Sequence, residues 1–286
     1  MNATTLVNGL LTGGLYVLVA LGLSLVFGVL RLINLAHGVL VVGAAYAALE
    51  VFQLVHLGPF AALPIVVVIA GAFGYLLQRL LLTNLLLKGP EAGIVGTFGV
   101  AVLGEAAFAA GFTSNGNALS SSLATASVTV GGVTLELVLV VACGLAVVLA
   151  GALQLGLRRT RAGAVLRAAA KDPGTAELMG IDVRQVFALT VAVAAALAAV
   201  AGVLYGVATS FIPTSDTSLL LIAVAVVVVG GVGNVVGTLV AGLAMGLVQA
   251  ISVSLFGGGY SDFTVYLLFF VMLVLRPRGL FGQGAF

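Results

Sequence analysis

The most constraining feature of this sequence is its succession of long apolar runs, which are separated by short polar segments. An α-helix needs roughly 20 apolar residues to cross a bilayer, and most of these runs approach or exceed that length. Hydrophobic residues make up 62% of the 286-residue chain and charged residues only 7%, which excludes a water-soluble fold with a polar surface. The runs lie near residues 6–30, 38–55, 61–82, 93–112, 135–157, 185–208, 219–230, 235–256 and 263–275.

These runs predict an all-α polytopic membrane protein with about eight to ten transmembrane helices. A single transmembrane domain over residues 1–286 accounts for the whole length. The run at 219–230 is the shortest and ends at Gly230 and Gly231, so it is either an ordinary span or a re-entrant or broken helix. In the second case its free backbone groups would line a cavity in the protein, because lipid cannot satisfy them.

The segment 158–184 concentrates basic charge between two apolar runs and sets the predicted orientation. It holds six of the eleven Lys and Arg residues, namely Arg158, Arg159, Arg161, Arg167, Lys171 and Arg184. Basic loops of membrane proteins stay in the cytoplasm, so we place this loop inside, with the amino terminus outside and the carboxyl terminus inside. Alternation of the spans brings the other basic residues to the same side: Arg31, Arg79, Lys88, Arg276 and Arg278. The uncharged outer loop 113–134 either contacts an extracytoplasmic partner or is simply solvated.

Glycines recur at helical spacing in several apolar runs. Gly9 and Gly13 are four residues apart, as are Gly242 and Gly246. In lipid the hydrophobic effect does not drive helices together. Their association depends instead on van der Waals contact, which small residues strengthen by allowing close backbone approach. We expect tight helix packing at these glycines. The alternative is that the glycines form a smooth helix face that lines a narrow route through the protein.

Few polar side chains occur in or beside the apolar runs, and each is a candidate for a substrate pathway. Glu105 lies near the middle of the run 93–112, where a charge is costly without a partner or a wet cavity. It either makes a structural hydrogen bond or has a substrate or gating role. Asn34 is a candidate helix cap. His37 is a ligand, a proton relay or a hydrogen-bond anchor, and no metal site is expected because no second histidine is near it.

The sequence lacks the residues that an ATP-hydrolysing loop requires. Such a loop needs Gly-Lys followed by Ser or Thr, whereas Lys88 and Lys171 follow Leu87 and Ala170. No nucleophile–base pair or metal cluster is evident among so few polar residues. We therefore predict a non-catalytic chain that binds no cofactor itself. Its small net charge of +2 implies no nucleic acid, because the basic residues collect at span ends.

Four sequence blocks occur in order across nearly the whole chain. They read LTGGLYVLVALGLSLVFGVLRLINLAHG, GAVLRAAAKDPGTAELMGI, VVVVGGVGNVVGTLVAGLAMG and LRPRGLFG. Together they resemble the permease subunits of branched-chain amino-acid ABC importers, in particular the shorter of the two permeases. The resemblance implies a location in the plasma (inner) membrane of a prokaryote. It also implies a second permease, two cytoplasmic ATPases that carry ATP and Mg²⁺, and an extracytoplasmic solute-binding protein.

The resemblance also gives the basic loop a role in coupling. In such permeases a short helix of this loop docks on the ATPase, and residues 163–180 are similar to that segment. The matching positions are Gly163, Arg167, Ala168, Ala176 and Gly180. The residues themselves predict a helix over 164–170, a break at Pro173 and a second short helix over 175–179.

The cargo that the resemblance implies is a branched-chain or related small amphipathic amino acid. The nearly uncharged spans suit an apolar side chain, while its charged groups need polar partners. Candidates are Asn34, His37, Glu105 and free backbone at Gly230 and Gly231. The alternatives are a permease for urea, short amides or other small solutes, and a secondary transporter or channel that uses Glu105.

Overall fold

The computed structural model describes residues 3–86, 88–112, 115–276 and 279–282. It is helical apart from one hairpin. The helices are α1 Ala3–Leu30, α2 His37–Val55, α3 Pro59–Leu77, α4 Thr83–Leu86, α5 Pro90–Gly111, α6 Leu137–Arg159, α7 Arg161–Lys171, α8 Pro173–Leu178, α9 Val183–Ala208, α10 Ser215–Gly230, α11 Val235–Phe256 and α12 Ser261–Leu275. A π-helical segment, Gln78–Leu82, joins α3 to α4, and a 3₁₀ turn, Gly258–Tyr260, precedes α12.

Eight helical segments in the described part of the chain are long and apolar enough to span a membrane. The prediction of about eight to ten helices is therefore confirmed. The short run at 219–230 belongs to α10, a continuous helix of 16 residues that ends at Gly230. At 1.5 Å per residue it is about 24 Å long, less than the roughly 30 Å of bilayer hydrocarbon.

Two groups of helices repeat the same arrangement in opposite directions. In the first group α3 packs antiparallel against α9, with Gly74 against Val191 and Ala195; in the second, α11 packs antiparallel against α1. Likewise α2 lies beside α9, and α10 lies beside α1. Since α1 and α9 are themselves antiparallel, α1–α3 and α9–α11 form an interlocked inverted repeat, an arrangement typical of transporters.

The closest helix approach in this repeat occurs at glycines, as predicted. Gly9 and Gly13 of α1 lie directly against Gly246 and Gly242 of α11. A Cβ on Gly13 would be 2.7 Å from the Gly242 carbonyl oxygen and 2.7 Å from Leu243 Cα. The prediction of close helix packing at these positions is confirmed.

Helices α2 and α10 both begin inside the bundle. His37, the first residue of α2, makes a 2.7 Å hydrogen bond through Nε2 to the Val19 carbonyl, which lies about 16 Å before the end of α1. The chain therefore turns back into the bundle over residues 31–36. The N-cap of α2 is Ala36 and not the predicted Asn34. The Asn34 Oδ1 accepts from the Ala36 amide at 3.1 Å, and this hydrogen bond forms the turn before the helix.

The predicted outer loop is more ordered than a plain solvated segment. Strands β1 Ser127–Val130 and β2 Val133–Glu136 form an antiparallel hairpin, because valine and threonine alternate around a Gly-Gly turn with two positive φ angles. The preceding segment pairs with the α9–α10 connection through two 2.8 Å backbone hydrogen bonds between Asn117 and Phe211. Residues 113 and 114 of this loop lie outside the described residues.

Candidate functional site

The basic loop folds as two short capped helices between α6 and α9. Thr160 Oγ1 accepts from the Gly163 amide at 3.0 Å and begins α7. Asp172 Oδ1 accepts from the Thr175 amide at 3.1 Å and begins α8, with Pro173 in its first turn. The predicted pair of helices is confirmed, although α7 starts three residues and α8 two residues earlier than expected. The caps Thr160 and Asp172 set these starts, and proline fits the first position of α8.

Three of the five predicted coupling residues face the rest of the protein. Gly163 is buried where its missing side chain allows contact with the carbonyl groups at the end of α6. The Arg167 guanidinium donates to the Leu157 carbonyl of α6. Ala176 is buried in a small cluster with Ala169 and Val183, the first residue of α9. These residues fix the loop to the ends of α6 and α9.

The outward surface of the loop is apolar at its tip. Leu178 is 88% exposed and Met179 is 79% exposed, and Ala168 is also exposed. Gly180 closes this tip with φ of +83°, a conformation that suits glycine. Two large apolar side chains thus stand exposed together in a segment that is otherwise rich in charge. The sequence analysis missed Leu178 and Met179, although two bulky apolar residues within a charged segment were a visible signal.

The cap of α8 predicts a local pH dependence. The Thr175 hydroxyl, 2.5 Å from Oδ2, and the Thr175 amide lower the pKa of Asp172 below its ordinary value of 3.8. Because the pKa is lowered, the ionised cap stabilises α8 at pH values above the ordinary pKa of Asp172. This contribution is lost as the pH falls through the folded-state pKa. Hydrogen-exchange protection of α8, corrected for intrinsic rates, should therefore fall below about pH 4.

Asp172→Asn provides the control for this pH effect. Asparagine also caps helices but does not titrate in this range, so protection of α8 should become independent of pH. An unchanged pH dependence in Asp172→Asn would contradict the assignment to this carboxylate.

The predicted pathway groups occupy different environments inside the bundle. His37 is fully buried, and its Nδ1 has no hydrogen-bond partner among the described residues. Asn34 is buried in its turn, while Glu105 is half-buried on α5. Gly230 packs against Gly237 at the α10–α11 turn, so its backbone is covered by protein.

Gly231 is also covered. Its amide donates to the Val227 carbonyl at 3.0 Å, and the segment 279–282 lies over it, with the Leu280 amide donating to the Val229 carbonyl at 2.8 Å. The expectation that free backbone at Gly230 and Gly231 lines a cavity finds no support in this arrangement. The glycines instead allow the close turn between α10 and α11.

Asp216 is a buried acid that the sequence analysis did not single out. It lies in the first turn of α10, is only 5% exposed, and its backbone contacts Gly38 at the start of α2. Glu105 of α5 lies near the same turn of α2, since its neighbour Gly104 packs against Val39. The signal was an acid three residues before the apolar run at 219–230.

A cavity of about 460 Å³ lies between α2, α3 and α5. Its lining is apolar and includes Val39, Ile69, Phe73 and Phe108. The Phe108 ring packs 5.1 Å from that of Tyr46, which also stacks on Phe112 at 4.1 Å. This volume suits a small ligand, but the lining offers no partner for a charged group.

The described residues contain no group of three or more His, Cys, Asp or Glu side chains that could hold a metal. Three features together define an integral membrane permease: the inverted repeat, the two helices that begin inside the bundle, and the basic loop packed against α6 and α9. The chain belongs to the family described as branched-chain amino acid transport system / permease component, whose model matches residues 5–275. The predicted family, the all-α polytopic fold and the multi-pass location in the plasma membrane are confirmed.

Three relatives illustrate the similarity. The chain is 30% identical to the high-affinity branched-chain amino acid transport system permease protein BraD of Pseudomonas aeruginosa, over 97% of this chain and 95% of that protein. It is 29% identical to LivH of Escherichia coli, a permease of the same description, over 96% of this chain and 94% of LivH. A probable branched-chain amino acid transport permease protein LivH of Methanocaldococcus jannaschii is 26% identical over 96% of this chain and 91% of that protein. No solved structure matches the chain.

Proposed function

We propose that this chain is the permease subunit of an ABC importer that carries branched-chain or related small amphipathic amino acids. The match to the permease family over residues 5–275 carries the proposal. The relatives' names supply the substrate class and the transport system. The sequence has no Gly-Lys-Ser/Thr loop, so ATP and Mg²⁺ act on separate ATPase subunits, and this chain performs no covalent chemistry.

The proposed assembly contains a second permease, two cytoplasmic ATPases and an extracytoplasmic binding protein. Orientation in this proposal follows from the basic residues. With the basic loop in the cytoplasm, alternation of the spans brings Arg31, Lys88 and Arg276 to the cytoplasmic side and the β1–β2 hairpin to the outer side. Arg278 lies outside the described residues.

Coupling in this proposal passes through the basic loop to two helices. Leu178, Met179, Ala168 and Gly180 contact the ATPase, because they form the outward surface of α7 and α8. Gly163, Arg167 and Ala176 transmit the motion, because they tie the loop to α6 and to α9. Since α9 packs against α1, α2 and α3, a displacement of the loop shifts one inverted repeat against the other.

Reconstitution tests this function. We expect proteoliposomes with both permeases, the ATPases and the binding protein to take up leucine, isoleucine and valine only with ATP. Stimulation of ATP hydrolysis should be compared among these amino acids, short amides and urea. Uptake of amides or urea without uptake of these amino acids would support a permease for urea, short amides or other small solutes.

A control omits the ATPases from the same preparation. A secondary transporter or channel that uses Glu105 would still move solute without them. Uptake in their absence would therefore contradict the ABC importer assignment.

A further inference from the structure

A buried acceptor on α10 has no donor in the part of the bundle that the structure describes. Asp216 is 95% buried, and its Oδ1 has no hydrogen-bond partner among the described residues. Buried polar atoms in folded proteins are nearly always paired, because an unmade hydrogen bond there costs free energy. This oxygen therefore has an unused capacity to accept a hydrogen bond.

A second carboxylate lies near the same turn of α2. Glu105 follows Gly104, which packs against Val39 of α2, and Gly38 of the same helix packs against the Asp216 backbone. The two carboxyl groups, which we call the carboxylate pair, thus flank the first turn of α2. Two neighbouring carboxylates repel each other, and a cation between them removes that repulsion.

The cation does not come from the helices that form this region. No Lys or Arg occurs in α2, α5 or α10. Thr217 and Ser218 of α10 are exposed beside Asp216, and Glu105 is only half-buried. A face with these polar groups is unsuited to lipid.

We propose that Asp216 and Glu105 form the subsite that binds the ammonium group of the transported amino acid. This inference rests on the proposed function and extends it to a substrate contact. An ammonium group supplies three donors and a positive charge, which match the free Asp216 Oδ1 and the adjacent Glu105 carboxylate. Urea and simple amides carry no positive charge, so the carboxylate pair favours amino acids over them.

The test uses the complete importer in proteoliposomes, with binding protein loaded with L-leucine. Asp216→Asn and Glu105→Gln each keep the shape of the side chain and remove its charge. We expect either variant to lower the leucine transported per ATP hydrolysed about tenfold. The double variant should be little worse than either single one, since both groups hold one ligand.

Two further variants separate charge from structure. Asp216→Glu keeps the negative charge and should recover much of the transport. Glu50→Gln removes a carboxylate of α2 outside the pair and should transport like the unchanged protein.

Three outcomes would overturn the proposal. Full leucine transport by Asp216→Asn would show that the charge is unnecessary. Loss of the second permease on purification of Asp216→Asn would show that the pair binds a basic group of that subunit. Equal defects in Asp216→Glu and Asp216→Asn would indicate packing rather than ammonium binding. If instead the unchanged importer moves no amino acid, the proposed function fails.

Discussion

Gly13→Leu is expected to destabilise the folded permease strongly. At this position α1 and α11 are in backbone contact, and even a Cβ would lie 2.7 Å from the Gly242 oxygen and from Leu243 Cα. Backbone atoms cannot rotate away as a side chain can, so the helices must separate. We expect a loss of about 3 kcal/mol or more in the free energy of unfolding. The measurements are the unfolding midpoint in mixed micelles and the yield of assembled importer.

Gly144→Leu is the matched control for that substitution. Gly144 is also a helical glycine, on α6, but it is exposed and a Cβ there would have no neighbour within 4 Å. Its replacement should leave the unfolding midpoint nearly unchanged. Equal destabilisation by both substitutions would mean that helix propensity or general hydrophobicity, rather than the α1–α11 contact, causes the effect.

Leu178→Asp should uncouple the permease from its ATPase. The side chain is 88% exposed at the tip of α8, so the substitution puts no charge into the core. In the proposed complex it places a carboxylate in an apolar contact. We expect ATPase binding to weaken about 30-fold, the effect of losing a contact worth about 2 kcal/mol. Co-purification of the ATPase and leucine-stimulated ATP hydrolysis measure this loss.

Leu54→Asp repeats the same substitution at the other end of the bundle. Leu54 is 77% exposed in the last turn of α2, and the proposed orientation places it on the outer side. ATPase binding should be retained. Normal ATPase binding by Leu178→Asp would contradict the proposed docking surface, as would a similar loss in Leu54→Asp.

The parts of this fold that the sequence predicts are those set by local chemistry. An apolar run must become a helix in lipid because its backbone groups have no other partners, so α1, α6, α9 and α11 follow directly from composition. The α7–α8 pair follows from an alanine-rich segment interrupted by Pro173. In each case the residues that decide the structure are adjacent in the chain.

The parts that were missed depend on contacts between distant residues. His37 begins α2 inside the bundle because it bonds to Val19, and no local pattern gives the depth of that bond. Asp216 looks like a loop residue until α2 and α10 are packed together. Gly230 and Gly231 looked like free backbone, but the segment 279–282 covers Gly231 and α11 covers Gly230.

The contact between α1 and α11 also constrains biosynthesis. Helix α1 leaves the ribosome before its partner α11, which is translated more than 200 residues later. Until then its glycine face is solvated by lipid, which is possible because α1 contains no charged residue. The α1–α11 part of the core therefore forms only after α11 has inserted. Truncations within α11 should leave α1 without this contact, and we expect such chains to be substrates for membrane proteases rather than partly active transporters.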